Sequence, residues 1–298
     1  MIKPPPRRDV ELRPDLHVHS TFSDGLYTPT ALCAKARAAG VTHLSLCDHD
    51  TLDGICAMAN AIAQSNADAD QSPMAFLPGV EISTGEHGRI HILGYGTSLE
   101  KHAVQTLMKD SQAKRTNRFK EMLKKLAENG IELPQELLPP LDGSISPGRA
   151  HLARALIAMG TVNTVEQAFA RFLGEGRLCY VPYRHMSATE AVSFLRNSHC
   201  IPVLAHPSRL SMSEEARFAF IRSLADAGLM GVEVFHPSAS HRDIRGLEPF
   251  VRKAGLLVSG GSDFHGDAGA HAGLGDLSAK WTTASHDIHA LYSALTDV

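Results

Sequence analysis

The chain has 298 residues, 43% of them hydrophobic and 20% charged, with 29 Lys plus Arg against 32 Asp plus Glu. Those proportions argue against a disordered chain, and a formal charge of −3 argues against a surface that coats polyanions wholesale, while leaving room for a local basic site. The length suits one large domain or a body with a modest insertion.

In chain order, Met1 to Val10 lacks the apolar core of a secretion signal, and no apolar run is long enough to span a bilayer, so secretion and membrane insertion are disfavoured. Asp15 to His19 reads as the end of a strand. Thr28-Pro29 then starts a helix with proline in its first turn, and Gly40 stands where a C-terminal cap belongs. Val41 to Cys47 is the next strand, and Ala67 to Gln71 is a loop. Gly79-Val80-Glu81 and the run around His91 end two further strands.

Between about residues 100 and 179 the strand signal stops and helical patterns take over: Lys101 to Asn129, Arg149 to Met159 and Thr164 to Leu173. Leu137 to Pro140 and Gly143 to Gly148 punctuate them as turns. Residues 101–180 hold 12 basic and 8 acidic side chains, a net +4 that leaves −7 for the remainder. The expectation is a cationic helical insertion at 100–179, set beside an acidic body made of 1–99 and 180–298. Strands resume at Ile201 to Ala205, Gly231 to Phe235 and Leu256 to Ser259. Ser211-x-x-Glu214 resembles a capping box, ahead of Phe218, Ile221, Leu224 and Ala225 at helical spacing. Strands alternating with helices predict an α/β body on a parallel sheet.

Five cysteines, odd in number and without a CxxC pair, suit reduced thiols in the cytoplasm. Histidine is the compositional outlier, at 17 residues. In Asp15-Leu16-His17-Val18-His19-Ser20, residues two apart in a strand face one side, so His17 and His19 can present two imidazoles to one point. Asp24 follows in the next loop, and Cys47-Asp48-His49-Asp50, Gly79-Val80-Glu81, the His91 strand, Ala205-His206-Pro207 and Ser262-Asp263-Phe264-His265 repeat the pattern at strand ends. His91 alone reads equally as a buried histidine satisfied by a backbone carbonyl. Asp48 and Asp50 are either partners that orient imidazoles or solvated loop charges. In a closed α/β barrel such strand ends converge on one face.

Through DLHVHS, CDHD, GVEIS, the His91 strand, AHP and SDFH, the sequence resembles the polymerase-and-histidinol-phosphatase (PHP) family of metal-dependent phosphoesterases, from about Asp15 to His265. The resemblance implies a distorted (β/α)7 TIM-like barrel with a mostly helical insertion. It also implies metal ligands at His17, His19, Asp24, His49, Glu81, His91, His206, Asp263 and His265, and catalysis through Glu81, His206 and Asp263. Nine ligands imply three divalent transition metals. Mn comes first, with Fe or Zn as alternatives, because mixed imidazole and carboxylate donors suit them better than Ca. Clustered cations lower the pKa of a bound water, so a metal-bound hydroxide is the expected nucleophile on phosphorus.

A narrower resemblance is to the bacterial subfamily of 3',5'-nucleotide bisphosphatases and a 5'-to-3' exoribonuclease. It rests on the insertion, Lys114 to Arg118, Gly148-Arg149-Ala150-His151, Gly176 to Pro182 and Ala205 to Arg209. Arg115 and Arg118, three apart, share a helix face, and Arg149 and His151 open a helix where backbone N–H groups favour phosphate. With His236 at a strand end, these are the expected substrate-binding residues. The expected partner is a phosphorylated nucleotide or short RNA; no membrane is involved, and no stable protein partner can be inferred. Two alternatives compete: a histidinol-phosphate phosphatase or other small-molecule phosphomonoesterase, and a metal-stabilised binding domain without enzymatic activity.

Overall fold

Seven strands lie side by side in chain order: β1 (Pro14–Val18), β2 (His43–Leu46), β3 (Ala75–Ser83), β4 (His91–Tyr95), β5 (Ile201–Leu204), β6 (Gly231–Phe235) and β7 (Leu257–Gly260). In the computed structural model the described residues are 12–67, 72–85, 90–183, 185–267, 273–277 and 280–297. Met1 to Val10, Arg89 and all of the expected 67–71 loop but Ala67 lie outside them. The sheet nearly closes: Val18 bridges Phe264 just beyond β7, and the His19 N–H donates to the Phe264 carbonyl at 3.0 Å.

One expectation needs correcting. The sheet is not wholly parallel, because β4 runs antiparallel to both β3 and β5. Only residues 84–90 join β3 to β4, too few for a crossover helix, so the chain doubles back and the strand–helix alternation breaks there. This reversal matters for the site. The first residue of β4, His91, is thereby brought level with Ser83 at the end of β3, on the rim where the parallel strands finish.

The helices form where local chemistry starts and stops them. α1 (Pro29–Ala38) has Pro29 at its start and Thr28 as N-cap, its hydroxyl accepting the Ala31 N–H; Gly40, at φ 73°, ends it. α2 (Ile55–Asn66) follows β2. Between β4 and β5 come α3 (His102–Glu128), α4 (Arg149–Ala158), α5 (Val165–Ala168), a π-turn over Phe169–Leu173, and α6 (Ala188–Asn197). Beyond β5 are α7 (Glu214–Asp226), α8 (His241–Lys253) and α9 (Ala284–Thr296). The start of α7 is the second correction. Ser213, not Ser211, caps it by accepting the Ala216 N–H, which puts Glu214 at the first helical position.

Most of the barrel wall and its covering helices share an apolar core that includes Leu77, Val80, Ile92, Leu195, Val203 and Val232, while α1 and α2 pack on β1 and β2 in a second one through Leu32, Met58, Val18 and Leu44. The N-terminal half of α3 packs into the first through Val104 and Met108. Farther along α3, Phe119, Met122 and Leu126 join Leu152, Leu156 and Phe172 in a separate small core. α3 is thus rooted in the barrel at one end and carries a helical subassembly at the other.

Candidate metal centre

Glu81 sits at the middle of a ring of imidazoles and is 1% exposed. β3 aims it inward, while the β2 end loop closes over it: the Asp50 N–H donates to the Glu81 carbonyl at 3.0 Å, and His49 bridges to the same strand. Oε2 lies 2.8 Å from His49 Nδ1, 3.3 Å from His19 Nε2 and 3.4 Å from His17 Nε2. Oε1 lies 2.7 Å from His91 Nδ1 and 2.9 Å from His206 Nε2. Asp263 Oδ1 approaches the same two imidazoles of β1, at 3.5 Å from His17 Nε2 and 3.3 Å from His19 Nε2. Asp24 draws in His265, whose Nε2 is 3.2 Å from its Oδ1, and His49 at 3.9 Å.

All nine expected ligand positions therefore meet at one end of the barrel. Their donor atoms form three overlapping groups: His19, Asp24, His49 and His265; His17, His19, Glu81 and Asp263; and His49, Glu81 and His91. His206 touches Glu81 but stands outside those groups. The backbone is strained here: Asp50, His206 and Asp263 take left-handed φ values of 52°, 30° and 53°. Such conformations cost roughly 1–3 kcal/mol each and persist only where surrounding contacts enforce them.

These side chains suit divalent cations. His17 Nε2, His19 Nε2, Asp24 Oδ1, His49 Nδ1, Glu81 Oε2 and His206 Nδ1 are buried without a hydrogen-bond partner. Buried polar atoms normally have one, so six orphans in one cluster point to a missing binding partner. Electrostatics agrees. Burial pushes Glu81 upward, yet His49, His91 and His17 outweigh it and hold the carboxyl well below the usual range. Asp263 is held low in the same way against its burial, by His17 and His265. Burial disfavours charge on His19, but Asp263 and Glu81 prevail and raise it to about 10. His49 and His206 go the other way, lowered to about 4 by burial, which leaves their imidazoles neutral as metal ligation requires.

The partners behind the ligands were less expected. Asp48 accepts the Ser20 N–H at 2.7 Å and the hydroxyls of Ser20 and Ser23 at 2.6 Å each, holding the turn that carries Asp24. Asp50 accepts the Ser83 N–H at 2.9 Å and pairs with Arg115. Sequence reasoning missed Glu233 altogether. On β6 it contacts His17 and His206, and its only sequence signal was one acid in the apolar run Gly231 to Phe235. Arg209 was also missed as a site residue, and its Nη1 donates to Asp263 Oδ2 at 2.9 Å.

The expected substrate residues are placed unevenly. Arg115 is committed to the protein: Nε donates to Asp50 at 2.6 Å, Nη2 to the Ser83 hydroxyl at 2.7 Å and Nη1 to the Pro147 carbonyl at 3.3 Å. Arg118 donates Nε to the Val181 carbonyl at 2.7 Å and lies 5.6 Å from the Tyr180 and Tyr183 rings, while its buried Nη2 has no hydrogen-bond partner among the described residues. Burial and the neighbouring Arg149 and Arg115 lower its pKa to about 10. Arg149, first residue of α4, lies over the Phe169 ring at 5.2 Å. His151 Nδ1 accepts the Gly148 N–H at 3.1 Å and so caps α4, with burial lowering its pKa to about 4. His236 reaches the metal side of the rim, its Nε2 3.5 Å from Asp263 Oδ2. Two contacts tie this helical region to the Asp24 turn: Arg154 donates to the Asp24 carbonyl at 3.0 Å, and the Ser146 N–H to the Phe22 carbonyl at 2.8 Å.

A family model described as PHP domain matches residues 15–137. A 5'-3' exoribonuclease of Haemophilus influenzae is 34% identical over 253 residues, covering 84% of this chain and 89% of that protein. A 3',5'-nucleoside bisphosphate phosphatase of Chromobacterium violaceum is 32% identical over 264 residues, 87% of this chain and 90% of that one. Among solved structures, an amidohydrolase from Chromobacterium violaceum with bound sulfate and no metal superposes with a TM-score of 0.75, at 30% identity over 88% of this chain and 92% of that chain.

Proposed function

The chain belongs to the PHP family of phosphoesterases, and from that premise we propose that it removes phosphate from 3',5'-bisphosphonucleotides, trims the 5' ends of short phosphorylated RNA, or does both. The single observation that carries this reading beyond phosphate ester hydrolysis is Arg118. Its half-buried guanidinium lies 5.6 Å from the rings of Tyr180 and Tyr183, within the field of Arg149 and Arg115, and its buried Nη2 makes no hydrogen bond, an arrangement a second phosphate on the substrate would complete. The relatives named above act on nucleotide or RNA substrates, which supports the same class.

Three divalent ions are assigned to the nine residues, Mn first and Fe or Zn next, with His206 completing the set alongside His91 and Glu81. When bound, the ions neutralise the phosphate and make water nucleophilic at neutral pH. The protein supplies the rest. Glu81 and Asp263 place their carboxylates among the imidazoles and fix the spacing of the centre. Arg118 and Arg149 bind the phosphate that is not cleaved, while Arg115, spent on Asp50 and Ser83, holds the wall of the pocket. His236 Nδ1 accepts the Ser238 N–H at 3.1 Å, which leaves the proton on Nε2, facing the site, where it donates a hydrogen bond to a phosphate oxygen. Residues 100–179 are assigned as a substrate cap on a barrel formed by 1–99 and 180–298. Five free thiols suit a cytoplasmic enzyme, and no described helix is long and apolar enough to cross a membrane.

The test is product analysis with 3',5'-bisphosphoadenosine, 5'-phosphorylated RNA and histidinol phosphate in the presence of Mn. The first two are expected to be hydrolysed and the third poorly. Arg149→Ala is expected to lower kcat/KM for the bisphosphate about 100-fold, the size of one lost charge-assisted phosphate contact, with metal content unchanged. Unchanged kinetics would remove Arg149 from the site, and preference for histidinol phosphate would reject the nucleotide reading.

A further inference from the structure

Glu233 is 1% exposed, and its two oxygens serve two separate segments, β1 and the turn after β5. Being ionised, it only accepts. Oε1 takes the proton of His17 Nδ1 at 3.0 Å, and Oε2 takes the backbone N–H of His206 at 2.7 Å. That second bond holds a residue whose backbone is left-handed, at φ 30° and ψ 56°. On the far side of the His17 ring, Nε2 has no hydrogen-bond partner and lies 3.4 Å from Glu81 Oε2 and 3.5 Å from Asp263 Oδ1. An imidazole offers a lone pair to a cation only from the nitrogen that lacks the proton. A carboxylate fixed at Nδ1 settles which nitrogen that is.

We propose that Glu233 is a positioning residue of the metal centre: it keeps the His17 proton on Nδ1, so that Nε2 faces the metal, and it holds the turn that presents His206. The inference deepens the metal-centre reading and rests on it.

Replacing Glu233 by glutamine leaves one acceptor for two donors. If the amide oxygen stays on the His206 N–H, the amide NH2 faces His17 Nδ1. The imidazole proton must then move to Nε2, where it blocks ligation. If the oxygen turns to His17 instead, two N–H groups oppose each other at His206 and the turn opens. Either way metal binding weakens.

The experiment is a calorimetric titration of metal-free, full-length wild type and Glu233→Gln with Mn, alongside nitrogen NMR of the histidine rings in the Zn-loaded wild type, with His17 assigned from a His17→Asn spectrum. The expected result is a 10- to 100-fold loss of Mn affinity in Glu233→Gln, and a wild-type His17 protonated at Nδ1 and bound through Nε2. Unchanged affinity in folded Glu233→Gln overturns the proposal and leaves the metal centre standing. So does a proton on His17 Nε2 in the wild type, a measurement that holds even where the variant fails to fold. A wild type that binds no Mn overturns the metal centre and this proposal together.

Discussion

Glu81→Gln is expected to lower kcat about 10^3-fold, equivalent to about 4 kcal/mol of barrier, with a fall in bound metal. The reason is geometric. Both Glu81 oxygens face imidazole nitrogens, Oε2 those of His17, His19 and His49 without a hydrogen bond, and Oε1 those of His91 and His206. An amide keeps the shape of the carboxylate, but it removes the charge that balances the cations and turns an NH2 toward imidazole nitrogens. Steady-state kinetics with Mn, together with metal analysis of the same samples, checks this. A variant retaining wild-type kcat would show that the carboxylate is not part of the reacting centre.

The second large effect is structural. A Cβ added at Gly261 would lie 2.3 Å from His17 Cβ and 2.5 Å from the His17 backbone nitrogen. No rotamer change relieves a clash with backbone, so β1 and the segment after β7 must part. Gly261→Ala is expected to cost about 3 kcal/mol or more in urea unfolding of the metal-free protein, at the upper end for overpacking, and to displace His17 from the centre. Gly273→Ala is the control: a Cβ there meets nothing within 4 Å, and its stability is expected to stay within about 0.5 kcal/mol of wild type. Equal stability of the two variants would show that the barrel does not close at Gly261 as described.

The site positions that were legible in the sequence share one property: local spacing or a family motif marks them. His17 and His19 are two apart on one strand, and Asp263 and His265 close the SDFH motif. Position relative to a strand end was enough for His49, Glu81 and His206. His91 was ambiguous because its role depends on strand direction. Only the reversal of β4 brings the start of that strand to the rim, and an apolar pattern reads the same in both directions. Glu233 was invisible for a related reason. Its partners are His17, 216 residues away, and His206, two residues past the end of the neighbouring β5, and nothing in Gly231 to Phe235 announces either. Arg115 shows the opposite failure. A cationic helix face suggested a phosphate contact, whereas Asp50, 65 residues earlier, claims the guanidinium. The α7 start was misplaced by two residues because Ser211 and Ser213 both precede Glu214 and only the backbone path selects between them.

The proposed chemistry requires metal ions held by side chains that are distant in the chain and adjacent at the barrel rim. Elemental analysis of purified, active protein tests it most directly. The expected result is three equivalents of Mn, Fe or Zn per chain, lost together with activity on chelation and regained on adding Mn. Full activity in protein holding no transition metal would contradict it.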